Sequence, residues 1–333
     1  MRADLISSFL AENGLAKANR APLAGDASAR RYERITQPQT RVILMDDATG
    51  TQAAILAFIS IAAHLRGLGL SAPEIFASDV PNGLILMEDL GDAVFAREAD
   101  RDPSLEIRLY SAAIDVFKPL HDAPPPANIP TFDPCIMARA TDVAFQWYRP
   151  DPCHSLDDGA LTAMDQLQAA LAAAARPPVL SLRDYHAENL IWLPERSGHA
   201  RVGLLDFQDA VVTHPIYDLI SLTRDARRDV SRELSQAILS RYASQTQQEL
   251  ADVTHAAAVV AIQRNLRILG VFARLSQQMG KPGYVSFIPR VWRMLQEDLA
   301  HPKLAPLKRT LNALLPPPDD NLLTRLRTPC PTP

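Results

Sequence analysis

The feature that most constrains this chain is a change of hydrophobic period between residues 179 and 206. On either side, apolar residues recur at helical spacing. Here VLSL, NLIWL and RVGLLD are runs too short for helices, with polar loops between them. Short apolar runs bounded by turn residues read as strands, so a small β-element is expected inside an otherwise helical region. Its loops carry Leu182-Arg183-Asp184-Tyr185-His186-Ala187-Glu188-Asn189 and Leu205-Asp206-Phe207-Gln208.

Asp184 and Asn189, with four residues between them, share the loop after the first strand, and Asp206 ends the second strand of the following hairpin. Three oxygen-bearing side chains are thereby drawn to one end of the β-element. Phosphoryl transfer needs such a set: a carboxylate that orients and deprotonates a hydroxyl, and hard oxygen donors for magnesium. Asp184 is therefore the candidate catalytic base, and Asn189 and Asp206 are the candidate magnesium ligands. The spacing D-x-x-x-x-N alone means little, because both residues are ordinary in loops. The flanking strands and the Asp-Phe pair give it content.

Residues 1–90 read as an α+β lobe on an antiparallel sheet. A helix over 3–13 stops at Gly14, and strands 31–36 and 41–46 join through QPQT. A helix over 51–68 sets Ile55, Phe58, Ile59, Ala62 and Leu65 at helical spacing, and strands 75–77 and 84–87 flank Pro81-Asn82-Gly83. Residues 91–315 read as a mainly helical lobe, with helices near 103–118, 135–148, 216–228, 230–245, 247–278 and 285–300. A Pro-rich tail occupies 316–333, and its end, TRLRTPCPTP, is expected to be loosely ordered.

Composition excludes several classes of function. With 333 residues and a net charge of -4, the chain has no whole-chain attraction for nucleic acid. No apolar run approaches the roughly 20 residues that span a bilayer, so no membrane role is expected. The charged, amphipathic opening is unlike a secretory signal. Cys135, Cys153 and Cys330 are far apart and odd in number, which suits a reducing cytoplasm. No pattern in the sequence speaks to oligomeric state.

The two loops resemble the catalytic and metal loops of the protein-kinase-like superfamily, in its aminoglycoside phosphotransferase branch. Within that branch the chain is similar to bacterial cell-wall amino-sugar kinases, which phosphorylate N-acetylmuramate and N-acetylglucosamine at the anomeric hydroxyl. The matching segments are Gly25-Asp26-Ala27-Ser28-Ala29-Arg30-Arg31-Tyr32, Met87-Glu88-Asp89-Leu90-Gly91-Asp92, Asp206-Phe207-Gln208-Asp209-Ala210, Pro215-Ile216-Tyr217-Asp218-Leu219, Gln263-Arg264-Asn265-Leu266-Arg267 and Gly280-Lys281-Pro282-Gly283-Tyr284. The resemblance implies a bilobal kinase-like fold, ATP and Mg2+ as cofactors, and a small-molecule acceptor such as an amino sugar.

It also assigns candidate roles. Gly25, Asp26 and Ser28 lie in a small-residue turn that lets backbone N–H groups approach phosphate, or that simply closes a hairpin. Glu88 and Leu90 would meet adenine through their main chain in the segment joining the lobes. Asp218, one turn into a helix, either supports the catalytic loop or complements the helix dipole. His186 either contacts substrate or makes a supporting hydrogen bond.

Some positions depart from the kinase pattern. Met45 stands near the usual third-strand lysine, and the following helix offers Gln52 in place of the partner glutamate. A cation must come from Arg30, Arg31, Arg34 or Arg41, and Arg31 is the choice because it lies in the matching loop motif. The missing lysine keeps open a nucleotide-binding pseudokinase without turnover. Only eight residues separate Asp206 from Pro215, too few for a peptide-docking segment, so the acceptor should be small. Between 261 and 310 the cations Arg264, Arg267, Arg274, Lys281, Arg290, Arg293, Lys303, Lys308 and Arg309 face only Glu297 and Asp298. They are either solvated helix faces or the wall of a pocket for an anionic or neutral sugar. Arg264 is the first candidate for sugar contact, and an aminoglycoside or other small alcohol is the alternative acceptor.

Overall fold

Alternation in RYERIT and RVILMD builds an antiparallel ladder. The computed structural model describes residues 2–23, 30–149 and 156–329. It comprises two compact units, Met1–Ile129 with Leu182–Ala210, and Pro130–Ser181 with Val211–Pro333.

In the first unit, helix α1 (Arg2–Glu12) precedes strands β1 (Asn19–Pro22), β2 (Arg31–Gln37) and β3 (Thr40–Asp46). Helix α2 (Gln52–Gly67) and strands β4 (Ile75–Asp79) and β5 (Leu84–Glu88) follow. The strands form one antiparallel sheet in the order β1-β2-β3-β5-β4. Pro22 is tolerated because β1 is an edge strand. The register pairs Ile35 with Val42 and Tyr32 with Met45. Successive strand residues point to opposite faces. Ile35, Val42, Leu44, Leu84 and Leu86 therefore share one face and pack on Ile6, Phe9 and Leu10 of α1. Tyr32, Ile43, Met45 and Ile85 take the other face. Thr51 caps α2, accepting from Ala54 N–H at 3.2 Å, and Ile55, Phe58, Ala62 and Leu65 are its buried stripe.

The hairpin of strands Leu190–Trp192 and Val202–Leu204 belongs to this unit although it lies in the later half of the chain. Trp192 N–H donates to Ala93 O at 2.7 Å and Leu204 N–H to Ser71 O at 2.9 Å. These bonds satisfy the outer edges of both strands, which a hairpin this short cannot do alone.

The second unit is mainly helical, with one two-stranded antiparallel ribbon, Val179–Ser181 with Val211–Thr213. The α+β class expected from the sequence holds. Several boundaries differ for local reasons. The helix expected over 103–118 is two helices, Glu106–Asp115 and Phe117–Asp122. Pro119 has no N–H for the carbonyl of Asp115, so the helix breaks there. The helix expected over 216–228 stops at Thr223, where the Asp225 carboxylate instead accepts from Arg227 N–H at 2.8 Å. Of the ending expected to be loosely ordered, residues 324–327 complete a helix, Asp320–Arg327, with Leu322 and Leu326 buried, and residues 330–333 lie outside the described residues. Tyr148 OH donates to Pro316 O at 2.8 Å and anchors the approach to it.

One helix, Leu250–Met279, is long and apolar enough to cross a membrane by length and composition. Counting consecutive apolar residues overlooks it, because Gln263, Arg264 and Asn265 interrupt the run. Its side chains are mostly buried within the second unit, Val259, Val260, Ile262 and Leu269 completely, as expected of a core helix.

Candidate active site

The loop after residue 181 turns abruptly. Asp184 N–H donates to Leu182 O at 2.8 Å, closing a γ-turn over Arg183, whose φ is 71°. Asp206 also has a positive φ, 56°. Non-glycine residues in this region are uncommon, and they concentrate where a site over-determines its backbone.

Asn189 ties the loop to the metal side. Its Nδ2 donates to Asp184 O at 2.9 Å and reaches Asp206 Oδ2 at 3.4 Å. Leu205 N–H donates to Asn189 O at 3.0 Å, extending the hairpin ladder so that Asn189 and Asp206 stand together at its open end. Gln208 Nε2 donates to the other Asp206 oxygen at 2.7 Å. Tyr185 is buried beneath the loop and its OH donates to Ala113 O at 2.9 Å. His186 is also buried, with Nε2 3.4 Å from Asn189 Nδ2. Asp184, His186, Asn189 and Asp206 are thus brought together within one unit.

The donor set fits magnesium on a nucleotide. With Nδ2 committed to Asp184 O, the amide oxygen of Asn189 is the donor left to join the Asp206 carboxylate. Among the described residues no group of three or more His, Cys, Asp or Glu could hold a metal. Magnesium is bound by one or two protein oxygens when phosphates and water supply the rest.

Other expected residues lie as follows. Glu88 donates its N–H to Glu74 O at 2.8 Å, so that donor is already used; its carboxylate meets Arg66 and Arg196. Leu90 is buried. Between them, burial opposes ionisation of Asp89. Hydrogen bonds from Arg34, Gly91 N–H and Arg41 outweigh it and hold the carboxyl below its ordinary pKa. Gly25, Asp26 and Ser28 lie outside the described residues. Arg31 is exposed and opposite Asp46, on the face that packs against α1. The Asp206 charge acts on Arg30 and on Tyr32.

In the second unit, Asp218 is 1% exposed and accepts from Ser181 Oγ at 2.6 Å. Burial distinguishes it from a helix-end charge in solvent. Ser181 ends the strand that leads directly into the catalytic loop. Arg264 is buried as well: its Nη2 donates to Ser221 Oγ at 2.8 Å and its guanidinium lies 5.0 Å from the centre of the Tyr217 ring. Arg290 and Arg293 both pair with Asp229. Sequence reasoning named Arg30 only among the available cations and gave no role to Tyr32 or to Phe58, whose ring stacks on Phe207. Strand parity could have found the first two, since both fall on the face of Met45.

Comparison with known proteins identifies the family. The N-acetylmuramate/N-acetylglucosamine kinase of Caulobacter vibrioides is 40% identical over 351 aligned positions, covering 93% of this chain and 96% of that protein. The protein of the same name from Pseudomonas aeruginosa is 29% identical, covering 88% of each. A choline kinase structure from Streptococcus pneumoniae has a TM-score of 0.63 at 14% identity, covering 89% of this chain and 99% of its own. An ADP-bound aminoglycoside phosphotransferase gives 0.62 at 13% identity, covering 89% and 99%. These distant structures share the bilobal kinase-like fold. Residues 19–253 match the phosphotransferase enzyme family, to which this chain belongs.

Proposed function

We propose that this chain transfers the γ-phosphoryl group of ATP to a hydroxyl of an N-acetylated amino sugar, N-acetylmuramate or N-acetylglucosamine. The observation that carries the reading is Asn189, whose amide joins the Asp184 carbonyl to the Asp206 carboxylate. Asp184 would orient the acceptor hydroxyl and take up its proton as the oxygen bonds to the γ-phosphorus and the bond to the bridging oxygen of ADP breaks. Asn189 and Asp206 would hold magnesium, which neutralises phosphate charge when bound. Asp218, through Ser181, would keep the loop in place. His186 is proposed to support Asn189. The 40%-identical relative named for these sugars supports the choice of acceptor. A cytoplasmic location is proposed, because ATP is available there.

The Met45 position favours a second reading, a nucleotide-binding protein without turnover. One experiment separates the readings: kcat/KM with N-acetylmuramate, N-acetylglucosamine and kanamycin, beside a direct ATP titration. Turnover of the sugars but not of kanamycin is expected. Efficient kanamycin turnover would overturn the acceptor assignment, and ATP binding without turnover of any acceptor would overturn the enzyme.

A further inference from the structure

The first unit holds an arginine where a kinase-like fold lacks its strand lysine. Tyr32 and Met45 are paired across β2 and β3 on the face opposite α1. Arg30, two residues before Tyr32, and Asp47, two residues after Met45, continue that face beyond the strand ends. They meet there: Arg30 Nε donates to Asp47 Oδ2 at 2.8 Å, with side chains 12% and 6% exposed.

The backbone around Asp47 is shaped to hold this pair. Its N–H donates to Gly83 O at 2.9 Å, and Gly50 N–H donates to its carbonyl at 3.3 Å. A Cβ on Gly50 would stand 2.3 Å from Asp47 Oδ2, and one on Gly83 would stand 2.4 Å from Asp47 O. Any larger residue at either position would displace the carboxylate or the chain that carries it. Burial works against the Arg30 charge, but the Asp47 hydrogen bond and the charges of Asp47 and Asp206 outweigh it. Asp206 therefore lies within electrostatic reach of the guanidinium.

We infer that Arg30 is the phosphate-binding cation of this chain and that Asp47 positions it. The pair would do the work usually given to a strand lysine and a helix glutamate. Arg30 comes from the start of one strand and its carboxylate from the end of the next, with no contribution from α2. Because Nε is held by Asp47, the direction of the guanidinium is fixed, and arginine forks of fixed direction match phosphate oxygens. The inference rests on the ATP reading above and names the cation which that reading lacks.

The test is calorimetric titration of the full chain with ATP and magnesium, and separately with adenosine. Arg30→Ala should lower ATP affinity roughly 10- to 100-fold, the range of a charged hydrogen bond, and leave adenosine binding at wild-type strength. Arg30→Lys keeps the charge without the fork and should recover only part of the loss. Asp47→Asn is the decisive variant. It removes a negative charge near the polyphosphate, so charge alone predicts tighter ATP binding, whereas loss of positioning predicts weaker binding. Tighter binding by Asp47→Asn, wild-type binding by Arg30→Ala, or equal losses for adenosine and ATP would each overturn the inference. Wild-type ATP binding in that same experiment leaves the kinase reading standing. A wild-type chain that binds no ATP overturns both.

Discussion

Phe207, the residue after the candidate metal carboxylate, stacks on Phe58 of helix α2 with ring centroids 4.9 Å apart and planes 21° from parallel. Phe58 is 4% exposed and Phe207 fully buried. The helix that in other kinases carries a catalytic glutamate here contributes an aromatic ring, and that ring packs on the neighbour of Asp206, which takes a left-handed conformation.

Phe58→Ala should therefore damage both stability and chemistry. Truncating a buried phenylalanine costs about 3–5 kcal/mol, measured by urea unfolding. A displacement of Asp206 of about 1 Å would lower kcat on the order of 100-fold. Phe58→Leu, which fills most of the volume, should recover most of the stability and less of the kcat. If kcat per folded molecule is unchanged in both variants, the stack has no part in placing Asp206.

Asp184→Asn should lower kcat about 10²- to 10⁴-fold, the usual loss for a positioned base, with ATP affinity near that of wild type. Asp206→Ala should abolish magnesium-dependent turnover and the contribution of magnesium to ATP affinity. Single-turnover kinetics and titration with and without magnesium distinguish the two roles. Near-normal turnover in Asp184→Asn would remove it as the base.

In the second unit, Arg224 donates to both oxygens of Asp298, at 2.7 Å and 3.3 Å, and Asn265 Nδ2 adds a bond at 3.2 Å. Burial pushes the Asp298 carboxyl up to about 6, and Arg224 restrains it from rising further. Because the folded value lies above the ordinary 3.8, this group's stabilising effect is full below 3.8 and is lost as pH rises through 6. Removing Arg224 leaves a buried unpaired carboxylate. Arg224→Ala should cost about 3–5 kcal/mol at neutral pH and less at pH ~5, where Asp298 is protonated. Denaturant unfolding at the two pH values checks it; an equal loss at both would mean that Asp298 does not change its protonation state between them.

His214 titrates with the opposite sign. Its Nε2 lies 2.9 Å from Ala174 O and its Nδ1 accepts from Ile216 N–H at 3.1 Å, so both ring atoms are used in the neutral form. Burial lowers its pKa from 6.5, more than the Ala174 bond raises it. A depressed histidine contributes stability above 6.5 that is lost as pH falls below it, by up to ~1.4 kcal/mol per unit. Urea unfolding from pH 7 to 5 should show a shallower fall in His214→Ala than in wild type. Parallel slopes would mean that folding does not shift the pKa of the ring.

The β-element of residues 179–206, its loops and the grouping of Asp184, Asn189 and Asp206 were legible because they are local, whereas the strand Val211–Thr213 that pairs with Val179–Ser181 was not read. A strand, a loop of fixed length and a hairpin leave few ways to place three residues only 22 positions apart. The strand limits of β2 and β3 were legible for the same reason, since alternation is written into adjacent residues; the strand order was not. Arg264 was harder to read. A cation on a long helix reads as solvated or as a pocket wall, and nothing within a few positions announces the Tyr217 ring and Ser221 hydroxyl that bury it.

By itself, then, the sequence determined the class of the fold and the catalytic loop, since both depend on periodicity and on contacts between near neighbours. The tertiary structure decided which distant side chains meet. Arg30 and Arg31 are adjacent in the chain, but one step along a strand reverses the face. The register with β3 alone sets Arg30 beside Asp47 and Arg31 opposite Asp46. Phe58 and Phe207, 149 positions apart, meet only when α2 and the hairpin pack in one unit. Pairings at such separation depend on the shape of the packed chain, which no local pattern of residues encodes.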